Sequence, residues 1–322
     1  MAGKKILYVH GFASSGQSGT VSRMRTVMPQ ATVIAPDLPI HPQEAISLLR
    51  QVCQTEQPDL IIGTSMGGMY TEMLRGFDRI LINPALEMGE TMVSHNMTGT
   101  QQFQNPRLDG VQQFIVTKAL VKEYKEITTH CFEGIDDDER RRVTGLFGDE
   151  DTTVDTYGLF SQHYPNAIHF HGEHRMDDRS FMHSVLPVIR WYDDRQEHHQ
   201  RPVVFVAYEA LTDSWGKPRS SCQKAFRWLI EQYDLYIVAP APSNNPQQMS
   251  QVMTWAEQYI NVPAYNHVIF TNQQHLLVGD YLIAPDNEPD SNAFLGTRIP
   301  FGSDTFKTWE DIITFFERLG GQ

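Results

Sequence analysis

Cysteine is scarce in this chain: 322 residues carry three, Cys53, Cys131 and Cys222. They are far apart, odd in number and fit no metal-ligand spacing, which argues against structural disulfides and for a reducing compartment. Long apolar runs are missing too. None approaches the ~18 residues of a membrane span, and the run after Lys4 and Lys5, residues 6–9, is too short for a signal-peptide core. The chain therefore reads as cytoplasmic, with no membrane partner. Basic residues are in deficit, 26 Lys and Arg against 39 Asp and Glu, for a formal net charge of -13. Phosphate backbones repel such a chain, so nucleic acid is not an expected partner, and solubility is the plainest reading of the charge. Internal repeats and low-complexity tracts are also lacking.

What is present is an alternation of short apolar runs with amphipathic stretches. Residues 6–9, 32–35, 60–62 and 80–82 read as strands, and residues 43–54 and 67–76 have helical character. Strands apolar at every position are buried on both faces, as in a parallel sheet covered by helices, so the fold class is α/β. Residues 86–142 break the rhythm. They are polar, with a helix predicted over 111–125 and a run, Asp136-Asp137-Asp138-Glu139-Arg140-Arg141-Arg142, that reads as a solvated helix start with acids first and bases after. This insertion is either a lid over an active site or a surface excursion. Strands resume at 143–147 and 167–171, a helix over 181–192 closes the unit, and the charged stretch 193–201 reads as a linker. Two domains are expected, 1–197 and 202–322, in keeping with about 150 residues per domain.

Gly63-Thr64-Ser65-Met66-Gly67 is a G-x-S-x-G pattern, which chance alone can supply. Its placement directly after a buried strand and before a helix is what gives it meaning. So sharp a turn holds the serine in a strained backbone conformation and requires glycine on either side, where side chains would collide. It presents the Ser65 hydroxyl above the sheet, with the Met66 N–H and the helix N-terminus facing any oxyanion. A hydroxyl needs a base to act as nucleophile, and in this fold the order is Ser, acid, His. The loop after strand 143–147 holds Asp149, Asp151 and, further on, Asp155; Asp151 is the preferred acid. The loop after the next strand holds His174, the expected base. His169 and His171 alternate on one strand face, where packing or solvation is a simpler reading than a metal pair; His183 on the following helix is a weaker base. His10 is expected to brace the loop that offers the Phe12 N–H as second oxyanion donor. The catalytic set is thus Ser65, Asp151 and His174, with Phe12 and Met66 as backbone donors, no cofactor and no metal.

The segments Tyr8-Val9-His10-Gly11-Phe12 with Ser14-Ser15, Gly63-Thr64-Ser65-Met66-Gly67-Gly68 and Ile82-Asn83-Pro84-Ala85 resemble the small YqiA/YcfP-type esterases of the α/β-hydrolase fold, over residues 5 to about 192. The resemblance implies a serine esterase, a carboxylic ester hydrolase taking a small acyl ester or thioester through an acyl-enzyme. Residues 86–142 do not align with that pattern.

Residues 202–322 give a second α/β rhythm, with strands at 203–206, 235–238, 268–270 and 279–283 and a helix at 222–232. Pro242-Ser243-Asn244-Asn245-Pro246, Trp255, the 279–283 stretch and Phe301-Gly302-Ser303 with Trp309 resemble the type-C 5′-nucleotidases of the haloacid dehalogenase superfamily, which implies a Rossmann-like domain. Such phosphatases use an Asp nucleophile, a second Asp two residues on, a Lys and a late acidic pair that binds Mg²⁺. The matching positions here are Ala207, Glu209, Gln274 and Ala284-Pro285, with Asp286 one place late. The resemblance therefore implies a scaffold without phosphatase chemistry. It would serve either to bind a nucleotide or another anion, or as a structural or homo-oligomer contact.

Overall fold

The computed structural model describes residues 1–320. The chain divides into two compact units, Met1–Gln196 and a second that begins at Glu197.

In the first unit the strands are β1 (Lys5–Val9), β2 (Thr32–Ile34), β3 (Leu60–Thr64), β4 (Arg79–Ile82), β5 (Gly99–Gln102), β6 (Gln113–Val116), β7 (Val143–Gly148) and β8 (Ala167–Phe170). Six of them form one parallel sheet in the order β2-β1-β3-β4-β7-β8, with Tyr8 beside Ile62, Ile62 beside Ile80 and Ile82 beside Leu146. The central strands are buried at nearly every residue, as a sheet covered on both faces requires. The chain moves from β1 outward to β2 and then crosses to β3 on the other side. Ligands of open α/β sheets sit at the carboxyl ends of the strands at such a reversal, and Ser65 follows β3 there. This is the α/β-hydrolase fold.

Helix Pro42–Glu56 starts with proline at its first position, where the missing N–H costs nothing. It buries Ala45, Ile46, Leu49 and Cys53 against the sheet, an apolar stripe of helical period. All three cysteines are buried, and burial raises the pKa of each thiol.

Two expectations for residues 86–142 are corrected. The helix predicted over 111–125 begins only at Lys118 and runs to Thr128. Ahead of it, β6 pairs antiparallel with β5, because Phe114 and Val116 are buried and Gln113 and Ile115 exposed, a period of two rather than 3.6. Thr117 then caps the helix by accepting the Leu120 N–H at 3.1 Å. The Asp136–Arg142 run does start a helix, with Asp136 accepting the Glu139 N–H at 2.8 Å. Glu139, however, is not solvated. It is buried, pairs with the fully buried Arg79 of β4 and accepts the Gly76 N–H at 2.6 Å.

The supposed linker is corrected as well. Helix Leu186–Glu197 runs through its first half, anchored where Asp193 accepts from Lys4 Nζ (2.7 Å) and Arg195 pairs with Asp78 (2.8 Å).

The second unit holds β9 (Val203–Ala207), β10 (Asp234–Ala239), β11 (Val268–Phe270), β12 (Tyr281–Pro285) and β13 (Thr297–Phe301) in one parallel sheet ordered β11-β10-β9-β12-β13. Alternate residues of β9 feed two cores. Val204 and Val206 pack with Phe226, Trp309 and Phe316, while Phe205 and Ala207 pack with Leu282 and Phe294 on the other face. Trp309 donates its indole N–H to the Ala210 carbonyl at 3.0 Å.

Candidate active site

Ser65 has φ 54° and ψ -122°, a conformation costly for a residue with a Cβ. The turn is enforced from both sides. A Cβ on Gly67 would fall on the carbonyl oxygens of Val9 and His10, and one on Gly63 on the side chain of Thr71 and the backbone of Gly67. The first turn of helix Met66–Glu72 therefore packs directly on strand backbone, and only glycine permits that approach. The Ser65 N–H donates to the Ile82 carbonyl and the Ser65 carbonyl accepts from Ala85, both at 2.9 Å.

Three predicted residues, 109 and 23 positions apart, meet here. His174 Nε2 lies 3.0 Å from Ser65 Oγ and His174 Nδ1 lies 2.7 Å from Asp151 Oδ2. A carboxylate only accepts, so Nδ1 carries the proton and Nε2 offers its lone pair to the serine hydroxyl. The Asp151 side chain is 3% exposed. Burial pushes its pKa up, but the hydrogen bond from His174 and the N–H groups of Val154 and Thr153 outweigh this and hold it below the usual carboxylate range, so it stays ionised.

The alternatives go elsewhere. Asp149 pairs with His171 Nδ1 at 2.6 Å and accepts the Gly172 N–H, Asp155 is exposed, and the His169 ring stacks on Tyr157 at 4.0 Å. Among the described residues no group of three or more His, Cys, Asp or Glu could hold a metal ion. Phe12 lines the Ser65 pocket and Met66 is the first residue of the helix that Ser65 starts.

His10 is buried. The Leu38 N–H donates to its Nε2 at 3.1 Å, so Nδ1 carries the proton and donates to the Gly11 carbonyl at 2.8 Å. Burial holds its pKa below the ordinary imidazole value, the Gly11 carbonyl and Asp37 opposing this only in part. The sign of the pH effect follows. Below about pH 6.5 the unfolded chain takes up a proton that the folded chain refuses, so stability falls as pH drops toward the folded pKa. Denaturation midpoints between pH 4.5 and 7 should show a slope, at most about 1.4 kcal/mol per pH unit from this group, that flattens in His10→Gln. An unchanged slope would contradict a buried neutral His10.

Asn83, part of the Ile82-Asn83-Pro84-Ala85 segment, is given no role by the sequence, yet it stands at the centre of the site. Asn83, in the left-handed region at φ 44°, is buried. Its Nδ2 donates to the carbonyls of Glu173 (3.1 Å) and His174 (3.2 Å), and its Oδ1 accepts the Gly148 N–H at 2.7 Å. It therefore ties the Asp151 loop to the His174 loop. Asn83→Ala should lower kcat for ester hydrolysis by roughly 10- to 100-fold, because a misplacement of about 1 Å carries such a penalty. Stopped assays with an unaltered KM would mark it as positioning rather than binding; full activity would remove that role.

The pocket beside Ser65 has a volume of about 450 Å³. Residues 86–142 supply part of its wall, with Met88, Met97 and Asn105 among the lining. They are fastened to the first loop: Gln104 N–H donates to Ala13 O at 2.8 Å, Asn105 to Ser14 Oγ at 3.1 Å, and Phe114 meets Phe12 edge-on at 5.3 Å.

In the second unit, β9 ends in the buried methyl of Ala207, where the haloacid dehalogenase pattern has its nucleophile. Gln274 donates to Glu288 Oε1 at 2.7 Å, and burial raises the pKa of Glu209. Asp286 is more than half exposed, 3.8 Å from Arg298.

Among solved structures the chain is similar to Est1E from Butyrivibrio proteoclasticus with ferulic acid bound, at 14% identity over 62% of this chain and 90% of that one, TM-score 0.39. It is also similar to an extracellular alpha/beta-hydrolase from a Paenibacillus species, at 12% identity over 60% of this chain and 98% of that one, TM-score 0.35. A curated relative, named "Putative 5'(3')-deoxyribonucleotidase" of Vibrio phage KVP40, is 32% identical over 99 residues, 31% of this chain. The chain spans 58% of the length of that relative. Residues 5–180, just over half of the chain, match the model of an uncharacterised protein family, UPF0227.

Proposed function

The chain belongs to that uncharacterised family, and we propose that it is a serine esterase acting on a carboxylic ester or thioester through an acyl-enzyme on Ser65. The observation that carries this is the continuous hydrogen-bonded chain from Asp151 through His174 to Ser65 Oγ, in the proton arrangement a hydroxyl nucleophile needs.

Ser65 Oγ attacks the carbonyl carbon and its proton passes to His174 Nε2, while Asp151 stabilises the imidazolium. The tetrahedral oxyanion is held by the N–H groups of Phe12 and Met66. Collapse expels the alcohol or thiol, which takes the proton from His174. Water then repeats the sequence on the acyl-enzyme, releases the acid and restores Ser65. Side chains, backbone and water supply each step.

The second unit enters as a nucleotidase-like scaffold without phosphatase chemistry, because Ala207 has no group that can attack phosphorus.

Labelling with a neutral fluorophosphonate tests the esterase reading. Wild type is expected to gain the phosphonyl mass on the Ser65 peptide and Ser65→Ala to gain none. An unlabelled wild type, or equal labelling of the variant, overturns it.

A further inference from the structure

The wall of the Ser65 pocket runs against the charge of the chain. A protein with 39 acidic and 26 basic residues lines this pocket with Arg23 and Arg175 and, among the described residues, with no carboxylate. Arg23 lies on helix Gly19–Val27, whose N-cap residue Ser18 makes no side-chain capping bond. Ser18, Gly19 and Thr20 also line the pocket, so the helix start opens toward it, and helix N-termini favour anions.

The second observation is a set of buried polar atoms left over. Ser18 is 6% exposed; its Oγ, near the Tyr8 hydroxyl, completes no hydrogen bond, and neither do Nε and Nη1 of Arg23, whose side chain is 19% exposed. Arg23 Nη2 pairs with Asp178, a carboxylate on the outside, and the guanidinium lies 5.8 Å from the centre of the Phe181 ring. Buried donors without partners are rare in native proteins and call for a ligand or ordered water. The cluster adjoins the nucleophile: Tyr8, which lines the same pocket, hydrogen-bonds Thr64 Oγ1 at 2.9 Å, one residue before Ser65.

We propose that Arg23, Ser18 and the start of helix Gly19–Val27 form an oxyanion-recognising subsite, so that the substrate is an ester or thioester carrying a carboxylate or phosphate group at the end away from the scissile bond. This rests on the reading of Ser65 as the nucleophile. Carboxylate and phosphate share the chemistry that the guanidinium, hydroxyl and N–H groups recognise.

The test compares kcat/KM for 4-nitrophenyl pentanoate with that for the 4-nitrophenyl monoester of glutaric acid, in which a carboxylate replaces the terminal methyl. A chain ending in a phosphate monoester forms a third arm and separates the two oxyanions. Wild type should prefer an anionic ester by on the order of 10- to 100-fold, the value of a charge-assisted hydrogen bond. In Arg23→Met the ratio should fall toward one. Arg25→Met removes the same charge from an exposed position of the same helix and should leave the ratio unchanged. A wild-type ratio of one or less, or an equal fall in both variants, overturns the subsite; the wild-type ratio decides it even if Arg23→Met does not fold. Failure of the esterase reading is separable, because fluorophosphonate labelling of Ser65 reports that alone. In Ser65→Ala, glutarate should raise Tm where pentanamide does not, and no difference between them counts against the subsite without any chemistry.

Discussion

Replacing Ser65 by alanine is expected to lower kcat for a simple ester such as 4-nitrophenyl acetate by about a million-fold. His174→Ala should cost nearly as much, and the double variant no more than either single one. Residues that act as one unit lose their whole effect when any essential part is removed, so their penalties do not add. The proposed unit rests on geometry: His174 Nε2 lies 3.0 Å from Ser65 Oγ, and His174 Nδ1 lies 2.7 Å from Asp151 Oδ2. Asp151→Asn should cost less, roughly ten-thousand-fold, because the amide favours the wrong imidazole tautomer while leaving both other groups present. Activity that survives in each variant should reflect the Phe12 and Met66 donors and substrate binding alone. Multiplicative losses in the Ser65 and His174 pair would show that the two do not work together.

Glu139→Gln should destabilise the first unit by about 3–5 kcal/mol, because it leaves a buried guanidinium without its counter-charge. Arg79 is fully buried on β4; besides Glu139 it reaches the Glu72 carbonyl at 2.5 Å, while its Nε has no hydrogen-bond partner. Burial lowers its pKa, with Tyr164, Glu139 and Glu72 opposing. For a unit of this size each kcal/mol shifts Tm by about 2–4 °C, so differential scanning fluorimetry should find a fall on the order of 10 °C. Arg79→Met combined with Glu139→Leu should recover most of it, since replacing both ions by apolar groups is often neutral or stabilising. A single-variant loss under about 1 kcal/mol would mean that water reaches the pair.

The contrast between these two sites explains what the sequence could disclose. The nucleophile turn is local: Gly63, Ser65 and Gly67 stand within five residues, between an apolar run and a helix, and the acid and base follow in chain order on loops after strands. Continuous apolar runs marked β1, β3, β4 and β9 in the same way. The pair of Arg79 and Glu139 is the opposite case. Each residue sits in a stretch with its own plausible reading, an apolar strand edge and a solvated charge run, and nothing local says that they face each other across 60 residues. The β5–β6 hairpin was hidden because Phe114 and Val116 give only two beats of a strand period before Thr117 opens a helix, and the apolar residues that follow blend into one helical pattern. The helical half of the apparent linker was hidden because its charges are taken up by partners more than a hundred residues earlier in the chain, Lys4 and Asp78.

Asn83 has a consequence of a different kind. Its carboxamide bonds only main-chain groups of the two loops that carry Asp151 and His174, and main-chain groups are present whatever side chains those loops bear. At this contact the spacing between the two loops depends on main-chain groups, while Asp149 adds a side-chain tie of its own to His171 and Gly172. If Ser65 is the nucleophile, exchanging positions such as Thr153, Arg175 and Met176, which line the pocket, should change which acyl or leaving group is accepted while the Asn83 contacts persist. On the proposed reading, recognition and reaction would then sit on different contacts, and a directed-evolution library confined to those positions would vary the first while leaving Asn83 and its main-chain partners in place.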